Sequence, residues 1–201
     1  MPGEVIKSFA APAGTPHGMA FDGKYLWVID SGTNLIYQVD LDGNVIKSIS
    51  PMGVAGRGLT FDGKYLWNAD SQINRIYQQD LDGEFLGSIP SLDLTAQGLA
   101  WDGRHFWNAD GAINAIGQLD LTGQLISVFP TPGTGPRGLA FDGKYLWLAD
   151  KDTDLIYQIT IDGEVISSFP TPAGAARGLT FDGRHLWHVD TASNLIYQIA
   201  R

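Results

Sequence analysis

Five tryptophans, Trp27, Trp67, Trp107, Trp147 and Trp187, stand 40 residues apart without an insertion or deletion between them. The phrase FDGKYLW that ends on Trp27 returns unchanged before Trp67 and Trp147, and as WDGRHFW and FDGRHLW before Trp107 and Trp187. Gly18, Asp22, Gly23, Trp27, Asp30, Ile36 and Gln38 keep their identity in all five copies. A strand-bearing unit of this length cannot bury its apolar face alone, so the copies must stack into a solenoid or close into a ring.

Each copy reads as four short strands, at roughly 17–21, 24–29, 35–39 and 44–49, apolar or aromatic in alternation and bounded by Gly, Asp or Asn. Asp22-Gly23 signals a two-residue type I′ hairpin between the first two. That register predicts Phe21 opposite Lys24, Met19 opposite Leu26, Gly18 opposite Trp27 and His17 opposite Val28, with Gly18 leaving room for the indole. The chain opens on GEVIKSF, the counterpart of GEVISSF at 163–169, and it ends in a third strand. The first strand therefore has the place of the missing last one. An open solenoid would want polar caps at both ends, whereas a ring removes the ends. The expected fold is all-β: a five-bladed propeller of four antiparallel strands per blade, closed by the N-terminal strand. It forms one domain over 1–201, with units at 17–56, 57–96, 97–136, 137–176, and 177–201 joined to 1–16.

The repeat PRGLAFDGKYLWLAD…DLIYQITIDGEVISSFP, at 136–170, resembles NHL-type and YVTN-type propeller repeats along the whole chain. The segment Gln97-Gly98-Leu99 is similar to strings in plant-type glutaminyl cyclotransferases, which are likewise five-bladed. These resemblances imply the blade and the ring. Such blades occur in lyases, lactonases, adhesins and scaffolds, so they imply no single activity. The uninterrupted register points to recent amplification or a consensus-style, engineered sequence.

A net charge of −9 argues against general binding to nucleic acid or anionic membrane. Ten of the 22 acidic residues sit at two repeated turn positions, those of Asp22 and Asp30. The acidity is turn chemistry. Without cysteine the chain has no disulfide framework and no thiolate site. No apolar run has the length of a membrane span, and neither a signal peptide nor a cofactor is expected. A soluble monomer is the simplest reading.

Where the scaffold positions agree, two neighbouring positions at one channel mouth do not. One opens the first strand and reads His17, Arg57, Gln97, Arg137, Arg177; the other reads Val28, Asn68, Asn108, Leu148, His188. Variation beside a constant scaffold suits a site grafted on a fold. The arginines invite two readings: structural ion pairs with the Asp30 set, or a site for a small anion or carboxylate. If an anion binds, affinity should rise as His17 protonates near about 6.5. The Asp30 set suits turn capping better than calcium, and His17 with His188 falls short of a zinc site. Blade three departs most, with Gln97, Trp101, Phe106, Gly117 and an odd connector at 91–96, so a specific pocket is expected there. No catalytic constellation is visible. The expected function is a non-enzymatic binding scaffold with an anion site at His17, Arg57, Gln97, Arg137, Arg177, Asn68, Asn108 and His188. The alternatives are a propeller enzyme of lyase or glutaminyl-cyclotransferase type, or a multivalent lectin.

Overall fold

The computed structural model describes residues 1–93 and 95–201. Twenty strands form five separate four-stranded sheets arranged in a ring. Blade one holds β2 (Pro16–Phe21), β3 (Leu26–Asp30), β4 (Leu35–Val39) and β5 (Val45–Ile49), in that order from axis to rim. The same four recur over 56–90, 96–130 and 136–170 as β6 to β17. Blade five takes β18 (Ala176–Phe181), β19 (Leu186–Asp190) and β20 (Leu195–Ile199), and β1 (Val5–Ala10) completes it. Antiparallel pairs run from Val5 with Ile199 to Ala10 with Leu195, so the ring closes as expected.

The hairpin register differs from the one the Asp-Gly signal predicts. Phe21 pairs with Leu26, Ala20 with Trp27 and Met19 with Val28, which widens the loop to Asp22–Tyr25. Gly23 has φ of +96°, but Asp22 is not left-handed, so no type I′ turn forms. The Asp22 side chain sets the loop instead: Oδ1 accepts the amides of Lys24 at 2.8 Å and Tyr25 at 2.7 Å, and Oδ2 accepts the Trp27 indole Nε1–H at 2.8 Å. All five blades repeat the indole bond, at 2.7 to 2.9 Å. An indole removes about 150–250 Å² from water, worth up to roughly 4–6 kcal/mol per blade at about 25 cal/mol/Å². Asp22 keeps the buried N–H from opposing that gain.

The residue that makes room for the indole is the small one at position 20: Ala20, Thr60, Ala100, Ala140 or Thr180. Gly18 answers to a different neighbour. A Cβ on Gly58 would lie 2.6 Å from the Gln97 carbonyl oxygen, and one on Gly98 would lie 2.6 Å from that of Arg137. The obstacle at Gly18 is the Arg57 carbonyl. Inner strands thus meet backbone to backbone around the axis, and only glycine permits the approach.

The core lies between blades. Ala20, Trp27, Ile29, Ile36 and Ile49 of blade one pack on Leu59 and Leu66 of blade two. The pattern runs round until Trp187, Val189 and Ile196 of blade five meet Met19, Leu26, Val28 and Val39 of blade one. At the rim every outer strand carries a one-residue bulge, as at Ile46, where Lys47 pairs with Gln38 but Val45 with Val39. The same bulge recurs in the other four blades. It twists the free edge away from pairing with another chain.

Blade three compensates internally. A Cβ on Gly117 would sit 2.6 Å from Leu92 Cδ1, so the odd connector fills the space that tyrosine takes in the other blades. Phe106 lies between Trp67 and Trp101, with both centroid separations 4.7 Å. The pocket expected from these particular substitutions is filled.

Two outcomes follow from this packing. Removing residues 1–9 strips the blade-five edge and should lower the melting temperature sharply or cause aggregation; calorimetry on the truncated chain checks it, and an unchanged transition would refute closure by β1. Gly58→Ala forces a methyl group against the Gln97 carbonyl and should cost on the order of 1–3 kcal/mol or more, measured by chemical denaturation.

Candidate functional site

The inner strands carry a second set of bulges, and these place the candidate site. In blade two Gly56 pairs with Asp70 and Gly58 with Ala69, leaving Arg57 as the extra residue. Gln97 is the extra residue of blade three. In the other three blades the register shifts over the same stretch. The ring position is therefore not paired across the hairpin, which corrects the expected pairing of His17 with Val28. A bulge re-aims its side chain, and here it turns five of them to one mouth.

His17, Arg57, Gln97, Arg137 and Arg177, with Ser71 and Thr95, line a cavity of about 200 Å³. All five ring residues are half-buried. Below them the channel narrows to about 10 Å³ between the ring glycines and Met19, Leu59, Leu99, Leu139 and Leu179. That is room for about one water at most, so the mouth is a cup. A further cavity of about 80 Å³ opens on the opposite side, ringed by Phe21, Phe61, Trp101, Phe141 and Phe181.

The Asp30 set does not pair with the arginines. Asp30 Oδ2 accepts the amide of Thr15 at 2.7 Å, while Oδ1 accepts those of Gly32 at 3.0 Å and Thr33 at 2.9 Å. Asp70 takes four backbone amides, from Val54, Ala55, Gln72 and Ile73. Asp110, Asp150 and Asp190 do likewise between the connector before the first strand and the turn after the second. Burial works to raise the Asp30 and Asp70 carboxyls, and these hydrogen bonds outweigh it, holding both below their usual value. Among the described residues no carboxylate lies within ion-pair distance of Arg57, Arg137 or Arg177. The expected Arg–Asp pairs are corrected: the carboxylates are spent on the backbone.

The guanidiniums are poorly satisfied. Arg57 Nη1 contacts His17 Nε2, and Arg137 Nη1 reaches the Pro136 carbonyl at 3.3 Å. The Nε of Arg177 is buried with no acceptor. Burial lowers the pKa of all three, and Arg177 and Arg57 lower that of Arg137 further, as like charges held together must. Asp152 attracts Arg137 but is itself paired with Lys151. His17 is pushed down to about 3 by burial and then by Arg57, Arg177 and Arg137. Protonation near 6.5 in the free protein is thereby corrected.

Three of the eight predicted site residues lie elsewhere. Asn68, Asn108 and His188 are wholly buried, because the face of the second strand that carries them packs on the preceding blade. Asn108 bonds the Leu92 amide and the Gly98 carbonyl; Asn68 donates to the Met52 carbonyl. His188 has Nδ1 3.1 Å from the Gly178 carbonyl, stacks on Tyr197 and leaves Nε2 without a partner. Ser71 and Thr95 of the mouth were not anticipated; their own positions vary among the blades, one directly after the constant Asp70 and one two residues before Gln97.

No family model matches the chain, and comparison with curated proteins gave no match. Solved structures do resemble it. Glutaminyl cyclase from Myxococcus xanthus superposes with a TM-score of 0.84 at 11% identity, covering 99% of this chain and 97% of that one. Virginiamycin B lyase from Staphylococcus aureus gives 0.61 at 16% identity, over 97% and 98%. Kuenenia stuttgartiensis hydrazine synthase gives 0.59 at 17%, over 92% and 83%. At such identities the likeness shows the fold alone: a five-bladed β-propeller.

The histidines make stability fall on the acid side. Burial pushes His188 down to about 4 and His17 to about 3, against about 6.5 unfolded. As pH falls from about 6.5 to 5 the unfolded chain binds protons that the folded one refuses, so stability drops in that window. His188→Leu, the residue of blade four, should remove about one proton of that dependence; denaturation at pH 7 and pH 5 measures it.

Proposed function

We propose that the protein is a propeller-fold binding protein whose Arg57, Arg137 and Arg177 hold one small oxyanion at the channel mouth. The observation that carries this reading is the convergence of three guanidiniums without a carboxylate partner, one with a buried, unsatisfied Nε. Held together and partly desolvated, they destabilise the empty cup. An anion supplies the missing acceptors and cancels their repulsion. The site exists once per molecule, because His17 and Gln97 replace arginine in blades one and three, and this supports a single-ligand site over five lectin-like ones. The solved structures it resembles are enzymes by name, which supports the fold and leaves the binding reading to rest on the mouth.

Isothermal titration of sulfate and inorganic phosphate at low salt tests it. One anion per chain is expected, with affinity falling as salt rises. Arg177→Gln should weaken binding about 10- to 100-fold, as expected for losing a charge-assisted hydrogen bond worth about 1.5–3 kcal/mol. Absence of binding heat and of any thermal shift would overturn the proposal.

A further inference from the structure

The mouth is not uniform: blades one and three are its neutral sectors, and blade three has a notch. At the residue after the Asp30-class carboxylate the blades carry Ser31, Ser71, Gly111, Lys151 and Thr191. Only blade three lacks a side chain there. The point that a Cβ on Gly111 would occupy lies 3.3 Å from Arg137 Nη1, 3.3 Å from Gln97 Cγ and 3.5 Å from Thr95 Oγ1. The Arg137 guanidinium, the Gln97 Cγ methylene and the Thr95 hydroxyl therefore border a notch one methyl group wide at the edge of the cup. Gly111 has no left-handed φ, so its backbone does not demand glycine.

The polar groups around that position have hydrogen-bonding capacity left. The Gln97 amide, which has both donor and acceptor, makes no hydrogen bond among the described residues, whereas the neutral His17 ring is engaged by Arg57. The Thr95 hydroxyl donates to Asp110 Oδ1 at 3.3 Å, which leaves its lone pairs free to accept. A ligand hydroxyl, which also gives and takes, complements both; an apolar group would leave them unpaired and a second anionic group would face a lone pair. The cup, at about 200 Å³, is also larger than a bare tetrahedral anion fills, since about 150 Å³ already holds a benzene.

We propose that the ligand is a small oxyanion ester with a hydroxylated tail, its anionic head on Arg57, Arg137 and Arg177 and its tail in the cup against Gln97 and Thr95, over the Gly111 notch. This rests on the anion reading of the mouth and adds a tail to it. No bond is made or broken; the step is binding alone. Asymmetry does the selecting: the guanidiniums stand on blades two, four and five, the neutral His17 on blade one, and the amide and hydroxyl on blade three.

Calorimetry on the full chain with inorganic phosphate, methyl phosphate and glycerol phosphate separates the two layers. Glycerol phosphate should bind about tenfold tighter than methyl phosphate, as two net hydrogen bonds would give. Gly111→Thr fills the notch with the residue of blade five and should bring that ratio to about one. Should this variant fold poorly, Gln97→Leu provides the same readout. If phosphate binds but the two esters bind alike, or if the preference survives in the folded variant, the tail proposal is wrong and the anion site stands. If none of the three binds, both readings fall.

Discussion

The structure depends on how closely five inner strands approach the axis. Each glycine of the set Gly18, Gly58, Gly98, Gly138 and Gly178 lies against the backbone of the next inner strand, with no room for a Cβ. This contact fixes the radius of the ring, and the radius decides the rest. The leucines and Met19 close the waist because the strands leave it so narrow. Residues one step before the glycines cannot enter the waist, so the bulge throws them outward around one mouth. Three guanidiniums are held near one another by the geometry of the scaffold and not by any attraction between them.

A chain with a net charge of −9 nevertheless presents a positive cup, and hydrogen bonding explains it. The Asp30-class carboxylates stand on the same face, at 0–1% exposure. Each is fully engaged by backbone amides from two loops, so it acts as a loop staple. A carboxylate that turned to an arginine would abandon several amides in a buried place, which costs more than one ion pair returns. Asp152 attracts Arg137 but is held by Lys151, and exposed acids farther away are screened over about 10 Å. Local geometry therefore outweighs total charge.

How much of this was legible in the sequence follows from what repetition can and cannot encode. Blade number, strand count and closure by 3–9 all rest on self-similarity, which survives any error of register. The ring of His17, Arg57, Gln97, Arg137 and Arg177 was visible because it varies where its neighbours do not. The hairpin register was misread by two residues because Asp-Gly is a strong turn signal, while the bonds of the Asp22 side chain to Lys24, Tyr25 and Trp27 have no signature of their own. An even shift keeps every side chain on its face, so the core was foreseen and the role of Gly18 was not. Asn68, Asn108 and His188 looked like mouth residues for lack of the inner bulge, which no residue type announces.

An exact repeat supplies five equal positions, and a single ligand site needs them unequal. Blade three shows how the two demands coexist. Where its substitutions touch the core they cancel: Leu92 enters the space that Gly117 vacates, and Trp101 packs at a tilt on Phe106. Where they touch the mouth they do not cancel, since nothing refills the notch at Gly111 or takes up the amide of Gln97. Cancellation is required between blades, because each core cluster is shared by two of them and a void would weaken both. It is not required at the mouth, which borders solvent. The scaffold thus tolerates difference where a ligand would meet it, and that is where the five blades differ in charge.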